Sequence, residues 1–460
     1  MRQLFVFCDM KKVAFHTLGC KLNFAETSTI GRQFVDRGFE VVDFDNPSDV
    51  YVVNTCSVTD RADRECRQII RRARRRSPSA YIIVAGCYAQ LQPEEIASID
   101  GVDLVVGAKE KFRIFDFVND FQKASIPHVF VSCIDEVTEF SPSFSAEVGG
   151  RTRAFLKIQD GCDFPCSFCT IPLARGESRS QSIQHVLQQA QVIADHGYRE
   201  IVLTGVNVGD YGKKIGTNLF SLVKALDRVD GIERIRVSSI EPNLLTNEMI
   251  DFILGSNKFC NHFHIPLQSG SNAILKSMRR RYNAEHYRSL IEYIKREDPH
   301  AGIGADVISG FPGETDREFE ETFRFLVDLP VTYLHAFTYS ERSTTAAFDF
   351  PNSIDPKIRF ERSERLRMLS LKKRNAFHHR FLGNVLPVLF ETSASQNSLS
   401  GLSSNYIRVE VEHRPYLANT IHDVLITDSG DEHCRGTIME KNSHSAGVEG
   451  NFSNAHAVVM

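Results

Sequence analysis

The sequence predicts a three-part α/β protein: an N-terminal doubly wound parallel sheet, a central partial barrel of six βα units, and a small C-terminal β-barrel. Three observations carry this reading. The first hundred residues alternate short apolar strands with helical stretches; six more strand-like runs, separated by helices, lie between 153 and 340; and residues 385–438 hold short β-rich runs. At 460 residues the chain is also longer than one hydrophobic core usually organises.

In chain order, VAFH (13–16) is a first strand and a helix runs from about Ala25 to Arg37, with Gly38 suited to its C-terminal cap. FEVVDF (39–44), DVYVVN (49–54), YIIVAG (81–86) and DLVVG (103–107) are strands, with helices near Asp60–Arg76 and Pro93–Ile99. This rhythm implies a parallel sheet with helices on both faces. Polar, small residues at 131–150 suggest a linker. The second series comprises RAFLKIQ (153–159), EIVLTGV (200–206), RIRVSSI (234–240), FHIPLQ (263–268), GIGADVISG (302–310) and YLHAFTYS (333–340). One of its helices begins at Thr315, where Thr315 and Glu318 suit a capping box. A barrel of this kind places its active site at the carboxyl ends of the strands. A basic helix is expected over Ile358–Arg380. The domains expected are 1–130, 151–377 and 378–440, with a disordered polar tail at 441–460.

Composition narrows the function class. Charged residues are 24% and hydrophobic residues 42%, ordinary for a soluble globular chain. No run of 18 apolar residues and no signal peptide is read, so a cytoplasmic location without membrane contact is expected. The net charge of −4 does not announce a nucleic-acid binder, yet RQIIRRARRR (67–76) is locally basic. Eleven cysteines are too sparse for a disulfide scaffold in a chain this long, and clustered cytosolic cysteines more often bind metal or do redox chemistry.

The cysteines fall into two trios. Cys162, Cys166 and Cys169 form a C-x3-C-x2-C motif directly after a strand. Three thiolates leave one iron of a four-iron cluster open for substrate or cofactor. A zinc site is the alternative, but it would want a fourth Cys or His at compact spacing, and His185, the nearest, sits in a helical run. Cys20, Cys56 and Cys87 each follow a strand of the first domain, about one βα unit apart, so they can converge at the ligand-binding edge of the sheet. Three buried structural cysteines are the bland alternative. Cys8, Cys66, Cys133, Cys260 and Cys434 fall outside both trios and are read as structural.

With these motifs the chain resembles the radical S-adenosylmethionine (radical-SAM) methylthiotransferases over nearly its whole length. TLGCKLN, NTCSVT and GCYAQ match the family's amino-terminal domain, and LTGVNVG, SSIEP, HIPLQSGS and DVISGFPGET match its TIM-like (β/α)6 barrel. The C-terminal piece sits where the family carries its RNA-binding TRAM barrel. The resemblance implies two 4Fe–4S clusters, one on Cys162, Cys166 and Cys169 that binds S-adenosylmethionine and yields a 5′-deoxyadenosyl radical, the other on Cys20, Cys56 and Cys87 that carries the sulfur. S-adenosylmethionine is both methyl donor and radical source. Thr204, Gly205, Asn207, Glu241, Gln268, Ser269, Ile308 and Gly310, with Glu314, are candidate cofactor contacts, although strand ends also need caps and turns. Phe168 is read as packing beside the cluster.

Within the family, Lys21 after the first cysteine, NTCSVTD, GCYAQ and TIPLARGESRS resemble the branch that methylthiolates C2 of threonylcarbamoyladenosine-37 in tRNA. Isopentenyladenosine-37 and a ribosomal-protein aspartate are the alternative substrates, and a non-enzymatic RNA-binding or zinc protein is the third reading. The expected partners are the tRNA anticodon stem-loop and an electron donor such as flavodoxin or ferredoxin, with the enzyme a monomer. Arg67 to Arg76 are expected to line the approach of the stem, with a solvated helix face as the alternative.

Overall fold

The structure is a computed structural model, and it describes residues 10–57, 59–145, 152–392 and 397–439. Cys8 and the tail expected at 441–460 lie outside the described residues.

Strands β1 (Lys12–Thr17), β2 (Glu40–Val42), β3 (Val50–Thr55), β4 (Tyr81–Gly86), β5 (Leu104–Val106) and β6 (His128–Phe130) form one parallel sheet in the order β2-β1-β3-β4-β5-β6. Every residue of β3 and β4 is buried, as central strands covered on both faces require. Five helices attend the sheet: α1 (Lys21–Val35), α2 (Asp60–Arg76), α3 (Cys87–Leu91), α4 (Pro93–Ala97) and α5 (Ile114–Phe117). One core lies under Ile69, Ile70 and Ile96, the other under Ile30, Phe34 and Ile114, so the sheet is doubly wound. The strand order changes direction between β1 and β3, and ligands of such sheets collect in the crevice at that point. In α2 the Thr59 hydroxyl accepts from the Ala62 amide at 3.2 Å, and Cys66, Ile69, Ile70 and Ala73 turn inward, leaving the arginines outside.

The barrel strands are β7 (Arg153–Lys157), β10 (Glu200–Thr204), β11 (Arg234–Val237), β12 (His262–His264), β13 (Gly302–Ser309) and β14 (Tyr333–Thr338); a two-residue ladder, β8 (Gln159–Asp160) with β9 (Arg179–Ser180), follows β7. The parallel trios β7-β10-β11 and β12-β13-β14 are joined by isolated bridges from Ile235 to Phe259 and from Ser239 to His264. Helices α6 (Ile171–Arg175), α7 (Ile183–Asp195), α8 (Leu219–Leu226), α9 (Asn247–Gly255), α10 (Asn272–Ser277), α11 (Ala284–Glu297), α12 (Asp316–Asp328) and α13 (Pro356–His379) complete it. The expected capping box at Thr315 and Glu318 opens α12.

Ala154, Leu156, Ile201 and Leu203 face the outer helices. On the inner face of β7 and β10, Phe155 and Val202 pack against Phe24 and Ala25 of α1. The first helix of the N-terminal sheet therefore lies along the inside of the partial barrel. Residues 143–145 of the expected linker run beside β7, with the Lys157 amide donating to Ser143 O at 3.0 Å and the Ser145 amide to Phe155 O at 2.9 Å.

Strands β15 (Val385–Phe390), β16 (Ser398–Ser403), β17 (Arg408–Glu412), β18 (Ile421–Ser429) and β19 (Cys434–Ile438) close a barrel in the order β15-β16-β17-β19-β18. It docks on the starts of the large barrel's strands. Arg234 donates to Leu402 O at 2.8 Å and to Pro387 O at 2.7 Å, and Arg236 donates to Ser404 O at 2.9 Å. At Gly302 a Cβ would lie 2.2 Å from the backbone oxygen of Asn405. Gly302→Ala is therefore expected to force the two barrels apart at a cost of about 1–3 kcal/mol, measured as a lower thermal midpoint and faster proteolysis near residue 383.

Candidate active site

The first trio is assembled by the register of three neighbouring strands. Thr55 of β3 pairs with Gly86 of β4, so Cys56 and Cys87, each the next residue, leave the sheet side by side. Cys20 opens α1, three residues past β1, and the Leu18 amide ties that turn to Asn54 O at 2.9 Å. Gly19 has φ +99°, and a Cβ there would come within 2.6 Å of Cys56 Cβ, so glycine is what lets the Cys20 turn close on Cys56. Asn23 locks the arrangement by donating to Leu18 O at 2.7 Å and to Thr55 O at 3.1 Å, while the Thr55 hydroxyl donates to Ala85 O at 2.6 Å. Cys56 and Cys87 are buried, and Cys20 is exposed.

The second trio rides a loop from β8 to α6. The Cys162 amide donates to Gly176 O at 3.0 Å, the Cys169 amide to Cys166 O at 3.2 Å, and the Ser167 amide to Met278 O at 3.2 Å. Burial pushes the Cys162 and Cys169 thiols up to about 12. A cationic metal centre is what would hold such thiols as thiolates at neutral pH. Arg280 donates from Nη1 to Cys166 Sγ at 3.1 Å and from Nη2 to Glu241, joining a cysteine to a candidate cofactor contact.

The donor sets discriminate between metals. Around a single zinc ion, thiolate bonds of about 2.3 Å hold the sulfurs within about 4 Å of one another. Among the described residues, the one group of three or more His, Cys, Asp or Glu ligand atoms within 4.8 Å of each other is His264, Asp306 and His335; neither cysteine trio is that tight. Three soft thiols per site are the donor set that iron–sulfur clusters use. Asp306 accepts from His264 at 2.8 Å and from His335 at 3.2 Å, a hydrogen-bonded unit inside the barrel.

The candidate cofactor contacts separate into groups. Thr204 Oγ1 and Asn207 Oδ1, at the end of β10, are buried and have no hydrogen-bond partner, as acceptors awaiting a polar ligand would be. The Asn207 amide donates to Gln159 Oε1 at 2.8 Å, and Gly205 packs on the same side chain. Gln268 (φ +68°) and Ile308 line a cavity of about 190 Å³ with Phe168, Cys169 and Asp306. Phe168 also packs edge-on against Phe311. Ser269 turns to Thr322 at 3.0 Å and does not line that cavity. The Gly310 amide donates to Glu314 at 2.6 Å, and Arg362 also holds that carboxylate, at 2.8 Å.

The two trios meet. Thr170, next after Cys169, donates to the backbone oxygen of Ser57, next after Cys56, at 3.3 Å. Both residues line a wider cavity of about 570 Å³, with Asp60, Asp63, Arg64, Arg67 and Arg342. Arg67 also lines a surface groove of about 700 Å³ with Arg71, Arg74 and Arg75. Arg67 pairs with Glu95 at 2.8 Å and Arg74 pairs with Asp100, whereas Arg71 and Arg75 make no ion pair among the described residues. Gln159, Asn23 and Arg342 carry no sequence signal of a site role, and for Arg280 the signal is its place in the basic cluster Arg279, Arg280 and Arg281.

Comparison with known proteins agrees with this geometry. Residues 12–107 match the family described as "Uncharacterized protein family UPF0004", and residues 156–326 match the radical SAM superfamily. The threonylcarbamoyladenosine tRNA methylthiotransferase MtaB of Bacillus subtilis is 40% identical over 94% of this chain and 97% of its own. The protein of the same name from Aquifex aeolicus is 39% identical over 87% of this chain and 97% of its own. Among solved structures, the radical S-adenosylmethionine methyltransferase TsrM of Kitasatospora setae, with cobalamin and a [4Fe-4S] cluster bound, superposes with a TM-score of 0.55 at 15% identity, covering 74% of this chain and 77% of that one. That likeness concerns the fold.

Proposed function

This chain belongs to the radical-SAM methylthiotransferase family, and from that premise we propose that it methylthiolates C2 of threonylcarbamoyladenosine-37 in tRNA. The observation that supports the reading is the Thr170–Ser57 contact, which holds the residue after Cys169 against the residue after Cys56 at the wall of one cavity. When bound, the cluster on Cys162, Cys166 and Cys169 supplies the electron that cleaves S-adenosylmethionine to a 5′-deoxyadenosyl radical, and the cluster on Cys20, Cys56 and Cys87 supplies the sulfur.

The chain's own residues do the rest. Thr204 Oγ1 and Asn207 Oδ1 offer acceptors to the ammonium of the methionine part. Gln268 and Ile308 wall the adenine side, and Phe168 limits water beside Cys169. Glu241 is presented to the ribose hydroxyls, with Arg280 fixing its carboxylate and neutralising charge at Cys166. Cys20 is exposed to solvent while Cys56 and Cys87 are buried.

The arginine groove leads from α2 to the shared cavity through Arg67, which suits a nucleic-acid stem whose loop reaches the cysteines. An Arg71→Gln/Arg75→Gln double variant is expected to raise KM for tRNA without changing kcat. It should also flatten the slope of log affinity against log salt by about 2. A flavodoxin- or ferredoxin-class donor, a monomeric enzyme and a cytoplasmic setting complete the reading. No helix among the described residues is long and apolar enough to cross a membrane.

The test is anaerobic reconstitution followed by assay on anticodon stem-loops bearing threonylcarbamoyladenosine, isopentenyladenosine or plain adenosine, read by mass spectrometry of the nucleosides. Methylthio product from the first loop is expected. Product from the isopentenyl loop alone, or methylthio-aspartate in a ribosomal protein instead, refutes the assignment.

A further inference from the structure

A buried charge network that the reaction as described does not use joins the barrel to the N-terminal domain. Arg175, the last residue of α6, crosses from the barrel into the N-terminal domain. It donates to Asn23 Oδ1 at 2.6 Å, to both oxygens of Glu26 at 3.0 and 3.1 Å, and to Asp160 at 2.9 Å. Lys111 reaches Glu26 at 2.6 Å, and Lys157 reaches Glu26 at 3.0 Å and Asp160 at 2.7 Å. Arg179 stands 3.7 Å from Asp160. The side chains of Arg175, Lys111, Lys157 and Glu26 are at most 2% exposed.

These charges do not balance. Lys111, Lys157, Arg175 and Arg179 outnumber Glu26 and Asp160 by two. Surplus buried charge costs several kcal/mol per ion unless an opposite charge lies within reach. The rings of Phe112 and Phe140 sit 5.4 and 5.2 Å from the Lys157 ammonium, which eases but does not cancel the surplus. Arg179 is also met by the backbone oxygens of Val137, Glu177 and Arg175, and sulfurs are among the other neighbours of the network. Burial works against charge on both Arg175 and Lys111, and the Cys87 sulfur is among the groups that favour it on each. Cys20 is within reach of Arg175 as well, and Asn23, which Arg175 holds, also faces Cys20 Sγ at 3.9 Å.

We propose that Arg175, supported by Lys111 and Lys157, is the positioning residue and counter-charge of the Cys20–Cys56–Cys87 cluster, so that the barrel domain sets the reduction potential of a cluster held by the other domain. The inference rests on the two-cluster reading above. A thiolate-ligated cluster is net anionic, so it supplies the negative charge the network lacks. In return, the cations stabilise the reduced, more negative form. The network also spans the domain boundary, so loading the cluster and docking the domains favour each other.

The experiment uses the full chain with Cys162, Cys166 and Cys169 all changed to alanine, so that one cluster remains, and follows that cluster by spectroscopically monitored redox titration. In this background Arg175→Met should move the midpoint to more negative potential by at least a tenfold change in electron affinity, about 59 mV for one electron. Arg175→Lys should recover most of that shift. Glu26→Gln, which removes an anion, should move the midpoint the opposite way and guards against a misfolded Arg175→Met chain. Loss of iron from an Arg175→Met chain whose circular dichroism is unchanged also supports the proposal. An unchanged midpoint with full iron in both Arg175→Met and Glu26→Gln overturns it. A chain with native Arg175 that holds no iron in this background defeats the two-cluster reading instead.

Discussion

Cys166→Ala is expected to abolish 5′-deoxyadenosine formation and, with it, all methylthiolated nucleoside. The expectation follows from where Cys166 sits. Arg280 bridges its sulfur to Glu241, so one position bears on both the metal and the candidate ribose contact. Alanine removes a ligand and leaves the Arg280 guanidinium, 3% exposed, without its sulfur partner. Two thiolates do not hold a four-iron cluster with an open iron as three do. Iron should fall from about eight to about four per chain, while the N-terminal cysteines stay loaded. The checks are anaerobic iron and sulfide analysis, deoxyadenosine assay and mass spectrometry of digested tRNA. Wild-type product in a strain carrying this variant would overturn the assignment of the radical-generating site.

Much of the proposed site was legible in the sequence because cysteine ligand motifs are written in spacing. The C-x3-C-x2-C motif needs no tertiary information, and the second trio could be inferred because each cysteine ends an apolar run that reads as a strand. The six-stranded parallel sheet and the partial barrel follow from the same runs, apart from β6, a short edge strand that is half exposed. The residues that escaped act across the fold. Arg175 meets Glu26 over a separation of 149 residues, and Arg280 meets Cys166 over 114. Asp306 and His335 become neighbours through the parallel register of β13 and β14, which local periodicity does not encode. In the C-terminal barrel, β16 (SLSGLS) and β19 (CRGTI) lack an apolar alternation, so closure of the five strands was not visible strand by strand. The segment read as a linker had the right composition. Its small residues Ser143 and Ser145 are also what allow it to lie flush against β7.

Cys87→Ala is expected to separate the two halves of the chemistry. Cys87 follows Gly86 directly, where φ is +100° and a Cβ would lie 2.6 Å from Asn54 Oδ1, so the turn that presents Cys87 requires glycine. The barrel's trio is untouched, since its loop is held by Gly176, Met278 and Arg280, not by the first domain's cysteines. Cleavage of S-adenosylmethionine should therefore continue, and deoxyadenosine should accumulate without any methylthiolated tRNA. Iron should again settle at about four per chain, now on the other site. Removal of either cysteine thus yields the same metal content with opposite behaviour towards S-adenosylmethionine, a contrast that a generally unstable protein would not show. Coupled, wild-type formation of the methylthio nucleoside by Cys87→Ala would mean that the Cys20, Cys56 and Cys87 sulfurs are structural, and the sulfur would then have to enter from elsewhere in the shared cavity.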